Sequence, residues 1–355
     1  MNVLLTSAGR RNYLLGAFVS ALGTRGRVYA ADCRGDAPAL QEAAEGFRVP
    51  PVSDSGYVDE LLEVCRDREV GFVVPLNDLE LPVLASARER FAQAGVVVLV
   101  SSPEVVDICY DKWKTALFLA GNGLDGPQTF LEPGSVREAV RAGRLNFPLV
   151  LKPRWGSGSE GVEQVEDQAE LEQAFALGVH RVRRRRGHPA DAMPLVIQEK
   201  LEGVEHGLDV VQDLEGGQWA TFVRRKDRMR AGETERAEVV REEGLERLGN
   251  RLGASLRHGG LLDCDVFLDG GRCRILELNP RFGGGYPFVH VAGADLPAFY
   301  LALVEQREVD PLWLRPQPGM RAAKCDRLVG LRRPVGTVRA GWVPGPDQTV
   351  GCALR

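Results

Sequence analysis

Apolar residues fall along this chain in short blocks that switch between two periods. Residues 2–6 form an apolar run of strand length, and residues 10–22 then repeat Tyr13, Leu14, Ala17, Phe18 and Ala21 at helical spacing. Residues 28–31, 47–49, 70–75 and 96–100 read as further strands, with helices expected over 40–44, 58–66 and 79–94. Strands separated by helices of this length predict a parallel sheet with right-handed crossovers. Beyond residue 110 the rhythm changes. Helices are predicted over 113–120, 136–142, 170–177, 242–255 and 295–306. Strands are predicted over 127–130, 147–153, 162–165, 195–201 and 218–225, with a turn leading into another strand within 202–211 and one running towards Val239 and Val240 after the turn at 231–234.

The densest chemistry lies in residues 262–286, LDCDVFLDGGRCRILELNPRFGGGY. Asp269-Gly270-Gly271 is hairpin-turn chemistry, because these residues accept positive φ. Strand alternation points Glu277 and Asn279 to one face, and Asp265 on the partner strand reaches the same face. Two carboxylates and an amide oxygen are hard ligands of the kind Mg²⁺ takes when phosphates also hold it. Arg281 follows as a fixed fork for an oxyanion, and Gly283-Gly284-Gly285 lets the backbone approach something closely.

Two lysines add to this picture. Asp111-Lys112 opens a helix, and Lys152 ends an apolar strand before the loop Gly156-Ser157-Gly158-Ser159-Glu160-Gly161. Loop amides fold over phosphates and an ammonium supplies a point charge, although the spacing is not that of a P-loop. In the first domain Ser7-Ala8-Gly9 lacks the dinucleotide spacing G-x-G-x-x-G. Thr6, Ser7, Gly9, Arg10, Asp32, Asn77 and Asp78 are nevertheless expected beyond the carboxyl ends of the strands, where ligands of such sheets sit.

Composition narrows the class. The chain has 355 residues and a formal net charge of −4, which suits two or three soluble domains and gives no reason to expect nucleic acid or a membrane surface. The N-terminus has no charged region before its apolar part, so a cytoplasmic protein is expected. The seven cysteines lack metal spacing and are expected as reduced thiols. The run HRVRRRRGH, with arginines at 181 and 183–186, has no apolar or aromatic interleaving and reads as a solvated connector.

Taken in order, these motifs resemble the ATP-grasp superfamily, whose familiar members include biotin carboxylase and the large chain of carbamoyl-phosphate synthetase. The resemblance covers roughly residues 1–306. It implies an α/β protein: a Rossmann-like parallel-sheet domain (1–110), then a two-part ATP-grasp fold with a small lid (111–190) and a C-terminal part (191–308). Residues 309–355 would be an appendage on the catalytic part.

The resemblance also implies that Lys112, Lys152 and the loop residues Gly156, Ser157, Gly158 and Gly161 clamp the triphosphate. Glu199 with the backbone of Lys200 and Leu201 would hold the adenine, and Glu205 the ribose. Asp265, where Glu or Gln commonly stands, would ligate Mg²⁺ or Mn²⁺ with Glu277 and Asn279. Arg281, with Arg228 and Arg230 from the basic segment before Gly232-Glu233, would face an acylphosphate, and Arg10, Asn77 and Asp78 would help hold the substrate. The implied activity is an ATP-dependent ligase joining a carboxylate to an amine, with small-molecule, amino-acid-like substrates and a homodimer as the common assembly. The alternatives are a carbamoyl-phosphate-synthetase-like enzyme activating bicarbonate and a nucleotide-binding regulator without turnover.

Overall fold

The computed structural model describes residues 1–156, 158, 160–183, 193–331 and 335–337. Apolar blocks of five or six residues become the centre of the first sheet: β1 (Asn2–Thr6), β2 (Val28–Asp32), β3 (Gly46–Arg48), β4 (Val70–Pro75) and β5 (Val97–Val98). They run parallel in the order β3-β2-β1-β4-β5, with helices filling the crossovers as the alternation predicted. At the first strand-to-helix turn Ser7 and Gly9 adopt positive φ, 47° and 51°. The turn is fixed by Asp32, which accepts from the backbone N–H of Gly9 at 2.8 Å and of Arg34 at 2.9 Å. The helix expected over 79–94 is two pieces, Leu81–Ser86 and Arg88–Gln93.

A small antiparallel sheet follows: β6 (Thr129–Phe130), β7 (Leu149–Pro153), β8 (Glu163–Val165) and β9 (Leu195–Glu199), in the order β6-β9-β7-β8. Helices Pro133–Arg141 and Gln168–Arg183 cover it through Val136, Ala139 and Leu171. Because β9 pairs with β7 over five residues, the four-stranded unit continues to Glu199, and a boundary at 190/191 falls one strand early. Arg181 and Arg183 lie on the end of a helix rather than in a connector. The rest of the arginine run falls outside the described residues.

The third sheet is antiparallel throughout, with register shifts in three of its pairings: β10 (Val204–Gln212), β11 (Gln218–Arg230), β12 (Glu233–Val240), β13 (Leu261–Asp269), β14 (Arg272–Asn279) and β15 (Arg321–Ala323), ordered β14-β13-β10-β11-β12-β15. Helix Glu243–Leu256 buries Leu245, Leu248, Leu252 and Leu256 against one face. Each such side chain contributes about 1.5–3 kcal/mol on burial. Helices Tyr286–Val291 and Leu296–Val304 pack in the cluster that holds Val211, Phe222 and Val239. Phe222 and Val223 thus serve opposite faces, as strand alternation requires.

That second cluster continues into the first domain. Phe18 meets Phe282 edge-on with ring centroids 5.7 Å apart, and Arg11 donates to the Phe282 carbonyl at 2.8 Å. The terminal segment adds β15 to the third sheet, and β16 (Gly336–Thr337) to β3 of the first, so it touches two bodies rather than one. The strand-like piece at 328–331 forms no strand, and Leu328 is fully exposed. Cys65, Cys109, Cys264, Cys273 and Cys325 are free thiols; Cys33 is disulfide-bonded, which corrects the expectation of reduced thiols throughout. Among the described residues no helix is long and apolar enough to cross a membrane.

One side chain joins the small sheet to the helix that opens it. Asp111 caps helix Lys112–Gly121 by accepting from Trp113 N–H at 3.0 Å, and both its oxygens take Arg154 at 2.7 Å. Lys112 N–H also donates to the Arg154 carbonyl at 3.1 Å. Asp111→Ala leaves Arg154 without this partner, so the expected loss is about 3 kcal/mol, well above the roughly 1 kcal/mol of a cap alone. Urea denaturation of the two proteins measures it; a loss no larger than a cap's removes the pairing from the explanation.

Candidate functional site

The hairpin β13–β14 sets its own chemistry by register. Asp265 stands opposite Glu277, and Asp263 opposite Asn279. The pairing shifts between Asp265 and Val266, where Leu276 is the extra residue, so the alternation restarts there and keeps Glu277 and Asn279 together. Lys226 of β11 reaches across and donates to Asp265 and to Glu205, each at 2.6 Å. Burial opposes the Lys226 charge, but Asp265 and Glu205 override it and hold the ammonium above the usual lysine range.

From the start of helix Lys112–Gly121, Lys112 places its Nζ 3.3 Å from Glu277 Oε1 and donates to the Gly156 carbonyl at 2.5 Å. Lys152, at the end of β7, is buried, and burial brings its pKa down to about 8. Glu277 and Asp265 pull it back up, while Lys112 pushes it further down. Asp78, Tyr110, Gly156, Glu277 and Asn279 line a small cleft beside this cluster. The described residues hold no group of three His, Cys, Asp or Glu able to bind a metal. A cation here would therefore use the Asn279 amide oxygen as third protein donor beside Asp265 and Glu277. Such an all-oxygen set with few protein ligands suits Mg²⁺ shared with phosphates.

Behind the cluster runs a chain of buried charges. Arg281 donates to Asp78 of the first domain at 2.5 Å and lies 3.8 Å from Asp263. Asp263 takes Arg224 Nη2, and Arg224 Nη1 donates to Asp209 at 2.5 Å. Burial works against both guanidinium charges, and the facing carboxylates override it, holding them above the usual arginine range. Burial pushes the Asp209 carboxyl up, with Arg224 opposing.

The glycines of 283–285 serve this chain. A Cβ at Gly283 would overlap the Asp263 carboxylate and one at Gly285 would overlap Arg224 Nε, while at Gly207 it would lie 2.6 Å from the guanidinium carbon. The close approach expected of them is to buried ions of the protein itself.

Other expected residues fall as follows. Glu199 is held by Arg274 at 2.5 Å, with Gln128 N–H at 3.3 Å from its other oxygen; Lys200 is exposed and Leu201 buried. Gly158 and Gly161 are exposed, and Ser157 lies outside the described residues. Arg228 and Arg230 are surface residues paired with Glu235, and Arg230 also with Asp326. The β11–β12 register is irregular around Arg228, where Asp227 and Glu235 are left without a partner in the pairing. Asn77 bonds Leu79 N–H at 2.9 Å as a turn residue, and Arg10 is exposed at the mouth of the first turn. Asp209, Arg224, Lys226, Asp263 and Arg274 went unselected. Only Asp263 carried a local signal, two residues before Asp265 on the same strand.

Residues 3–99 match the family described as PylC-like, N-terminal domain, and residues 191–327 the family described as ATP-grasp in the biosynthetic pathway with Ter operon. The carbamoyl phosphate synthase large chain of Mesorhizobium japonicum is 26% identical over 276 residues, covering 67% of this chain and 23% of that one. This chain therefore spans about a quarter of that relative's length. Among solved structures, the biotin carboxylase domain dimer of Hydrogenobacter thermophilus 2-oxoglutarate carboxylase, in complex with MgADP, ADP and bicarbonate, aligns with a TM-score of 0.68 at 16% identity, covering 87% of this chain and 70% of that one. The N5-carboxyaminoimidazole ribonucleotide synthetase of Thermotoga maritima aligns with a TM-score of 0.62 at 18% identity, covering 87% and 77%. At these identities the likeness to the solved structures is one of fold.

Gly285→Ala forces a methyl group into the Arg224 guanidinium and is expected to cost about 1–3 kcal/mol. Gly244→Ala, in a helix with open space around it, is expected to be neutral or stabilising. Denaturant midpoints of the two variants compare them; equal midpoints would remove the packing argument.

Proposed function

We propose that the chain is an ATP-grasp protein, as its match over residues 191–327 supports, and an ATP-dependent ligase that activates a carboxylate as an acylphosphate and joins it to an amine nucleophile, with amino-acid-like substrates. The observation that carries the reading is the convergence of Lys112 from a helix start and Lys152 from the small sheet on Asp265 and Glu277 of the third sheet. Lysines and carboxylates of that number, gathered where two sheets meet, suit a triphosphate and its cation.

In this reading Lys112, Lys152 and the loop from Gly156 to Gly161 hold the phosphates. Glu199 with the backbone of Lys200 and Leu201 receives the adenine, and Glu205 the ribose hydroxyls, which it suits as a pure acceptor. Asp265, Glu277 and Asn279 hold Mg²⁺ or Mn²⁺, which when bound neutralises phosphate charge. A substrate carboxylate oxygen attacks the γ-phosphorus, the bond to the bridging oxygen breaks, and ADP leaves. The amine then attacks the acyl carbon, loses a proton, and phosphate departs with the bonding pair. Arg281, immobilised by Asp78, faces the developing charge of the acylphosphate; Arg228 and Arg230 belong to the flanking surface. The protein's part is positioning and charge neutralisation.

The test is ADP formation from Mg²⁺-ATP against a matrix of amino acids, dicarboxylates, bicarbonate and amines, with Glu277→Gln as the blank. Turnover that needs a carboxylate and an amine together, and is lost in the blank, supports the ligase. Turnover with bicarbonate alone moves the reading to carbamoyl-phosphate chemistry, and nucleotide binding without turnover across the matrix points to a regulator.

Lys152 adds a pH dependence. Its pKa in the nucleotide-free protein is lowered to about 8 by burial, so the ammonium is lost as pH rises through that value. Phosphates favour the charged form and raise the pKa. Nucleotide affinity is therefore expected to fall as pH rises through about 8, with a proton taken up on binding above it. Calorimetry in two buffers of different ionisation enthalpy measures the uptake. Its persistence in Lys152→Met would assign the proton elsewhere.

A further inference from the structure

One fully buried carboxylate takes no part in the site described above. Glu80 follows β4 as the residue before helix Leu81–Ser86, is 0% exposed, and forms no ion pair among the described residues. Its Oε1 accepts from the backbone N–H of Leu76 at 2.8 Å and of Asn77 at 3.0 Å. Its Oε2 accepts from the hydroxyl of Tyr57, at the start of helix Tyr57–Asp67, at 2.7 Å. Each of these partners donates, as an ionised carboxylate requires. Two successive amides aimed at one oxygen form an anion-binding turn, and here the protein fills it with its own side chain.

That turn carries Asp78. Asn77 Oδ1 accepts from Leu79 N–H at 2.9 Å, Glu80 N–H donates to the Asn77 carbonyl at 3.2 Å, and Leu81 N–H to the Asp78 carbonyl at 3.4 Å. Asp78 is thereby held on both sides, and its Oδ2 accepts from Arg281 Nη2 at 2.5 Å, from the first domain to the third sheet. Arg281 Nη1 donates to the Phe282 carbonyl at 3.2 Å, while Nε is buried and has no partner among the described residues. Both ends of the fork are taken by the protein, and one donor is left over. Asp78 also lines the cleft that Glu277 and Asn279 line. Where the Asp78 carboxylate stands therefore decides how the guanidinium is turned.

We propose that Glu80 is a positioning residue for Arg281: it sets the Leu76–Asn77 turn, the turn sets the Asp78 carboxylate, and Asp78 aims the guanidinium. Glu80 touches no reacting atom. What Arg281 does with that aim rests on the ligase reading; that Glu80 supplies it does not. A neutral acceptor in place of Glu80 weakens the two amide bonds, because hydrogen bonds to an ionised group are roughly twice as strong as neutral ones. A side chain with no acceptor removes them.

The experiment measures the coupling of Asp78 to Arg281 in the full chain, by urea unfolding of the wild type, Asp78→Asn, Arg281→Lys and the double variant. The cycle needs no ligand, and it is repeated with Glu80→Gln and with Glu80→Met. With Glu80 in place the coupling is expected to be a factor of about ten in the unfolding equilibrium constant. It is expected to fall to about three with Gln and about one with Met. Glu80→Gln keeps the shape and an acceptor, so it decides the matter if Glu80→Met does not fold. A Glu80 that only stabilises the core would lower stability in every background and leave the factor as it was. A factor unchanged in Glu80→Gln, or absent from the wild type, overturns the proposal.

The kinetic arm separates this proposal from the ligase reading. For a substrate pair that yields ADP, Glu80→Gln is expected to lower kcat about threefold, leave KM for ATP unchanged, and cost nothing further in Arg281→Lys. A coupling that falls while kcat holds keeps Glu80 as the positioning residue and removes Arg281 from the ligase reading. A coupling that holds while ADP release persists overturns this proposal and leaves the ligase standing.

Discussion

Arg224 is the constraint on which the third sheet is arranged. A guanidinium with 1% of its side chain in solvent needs carboxylates beside it, and Asp209 and Asp263 supply them from two neighbouring strands. Removing either partner would leave an uncompensated buried charge. Room for the ions comes from glycines at 207, 283 and 285, where no side chain fits. Through Asp263 the chain of charges passes to Arg281, and through Arg281 to Asp78 in the first domain. Alternating signs across five residues thus tie two sheets together behind the site, and they hold Arg281 still before any ligand arrives.

The groups proposed for metal and phosphate come from opposite sides of a seam. Asp265, Glu277 and Asn279 are fixed by hairpin register. Lys152 is fixed by a buried strand, and Lys112 by a helix whose cap also grips Arg154. Both lysine arms are largely buried, so the donors start near one another. Electrostatic stabilisation works best when donors need no reorganisation at the moment of reaction.

Much of this was legible in the order of residues. Alternating blocks disclosed the parallel sheet, Asp269-Gly270-Gly271 disclosed the hairpin, and a lysine ending an apolar strand disclosed Lys152. What stayed hidden was non-local. Nothing near Arg224 in sequence announces Asp209 or Asp263, because their meeting is a property of the sheet. Regular alternation places Arg228 with Arg224 and Lys226, yet the structure leaves it on the surface beside Glu235. Residues 195–199 looked like the start of the last sheet because pairing partners cannot be read from one strand. The helix Tyr286–Val291 went unread because it follows three glycines and is only six residues long.

The ion pairs in the proposed nucleotide pocket bear on how binding would be felt in solution. Lys226 already sits between Asp265 and Glu205, and Lys112 already faces Glu277. The pocket therefore carries its own counter-ions. On the proposed reading an incoming magnesium–nucleotide complex trades partners with them: its cation takes over the carboxylates, and its phosphates take over the lysines. Such an exchange of like for like changes little in net local charge. Affinity should then respond only weakly to ionic strength, and the released lysines would report nucleotide entry from inside the fold.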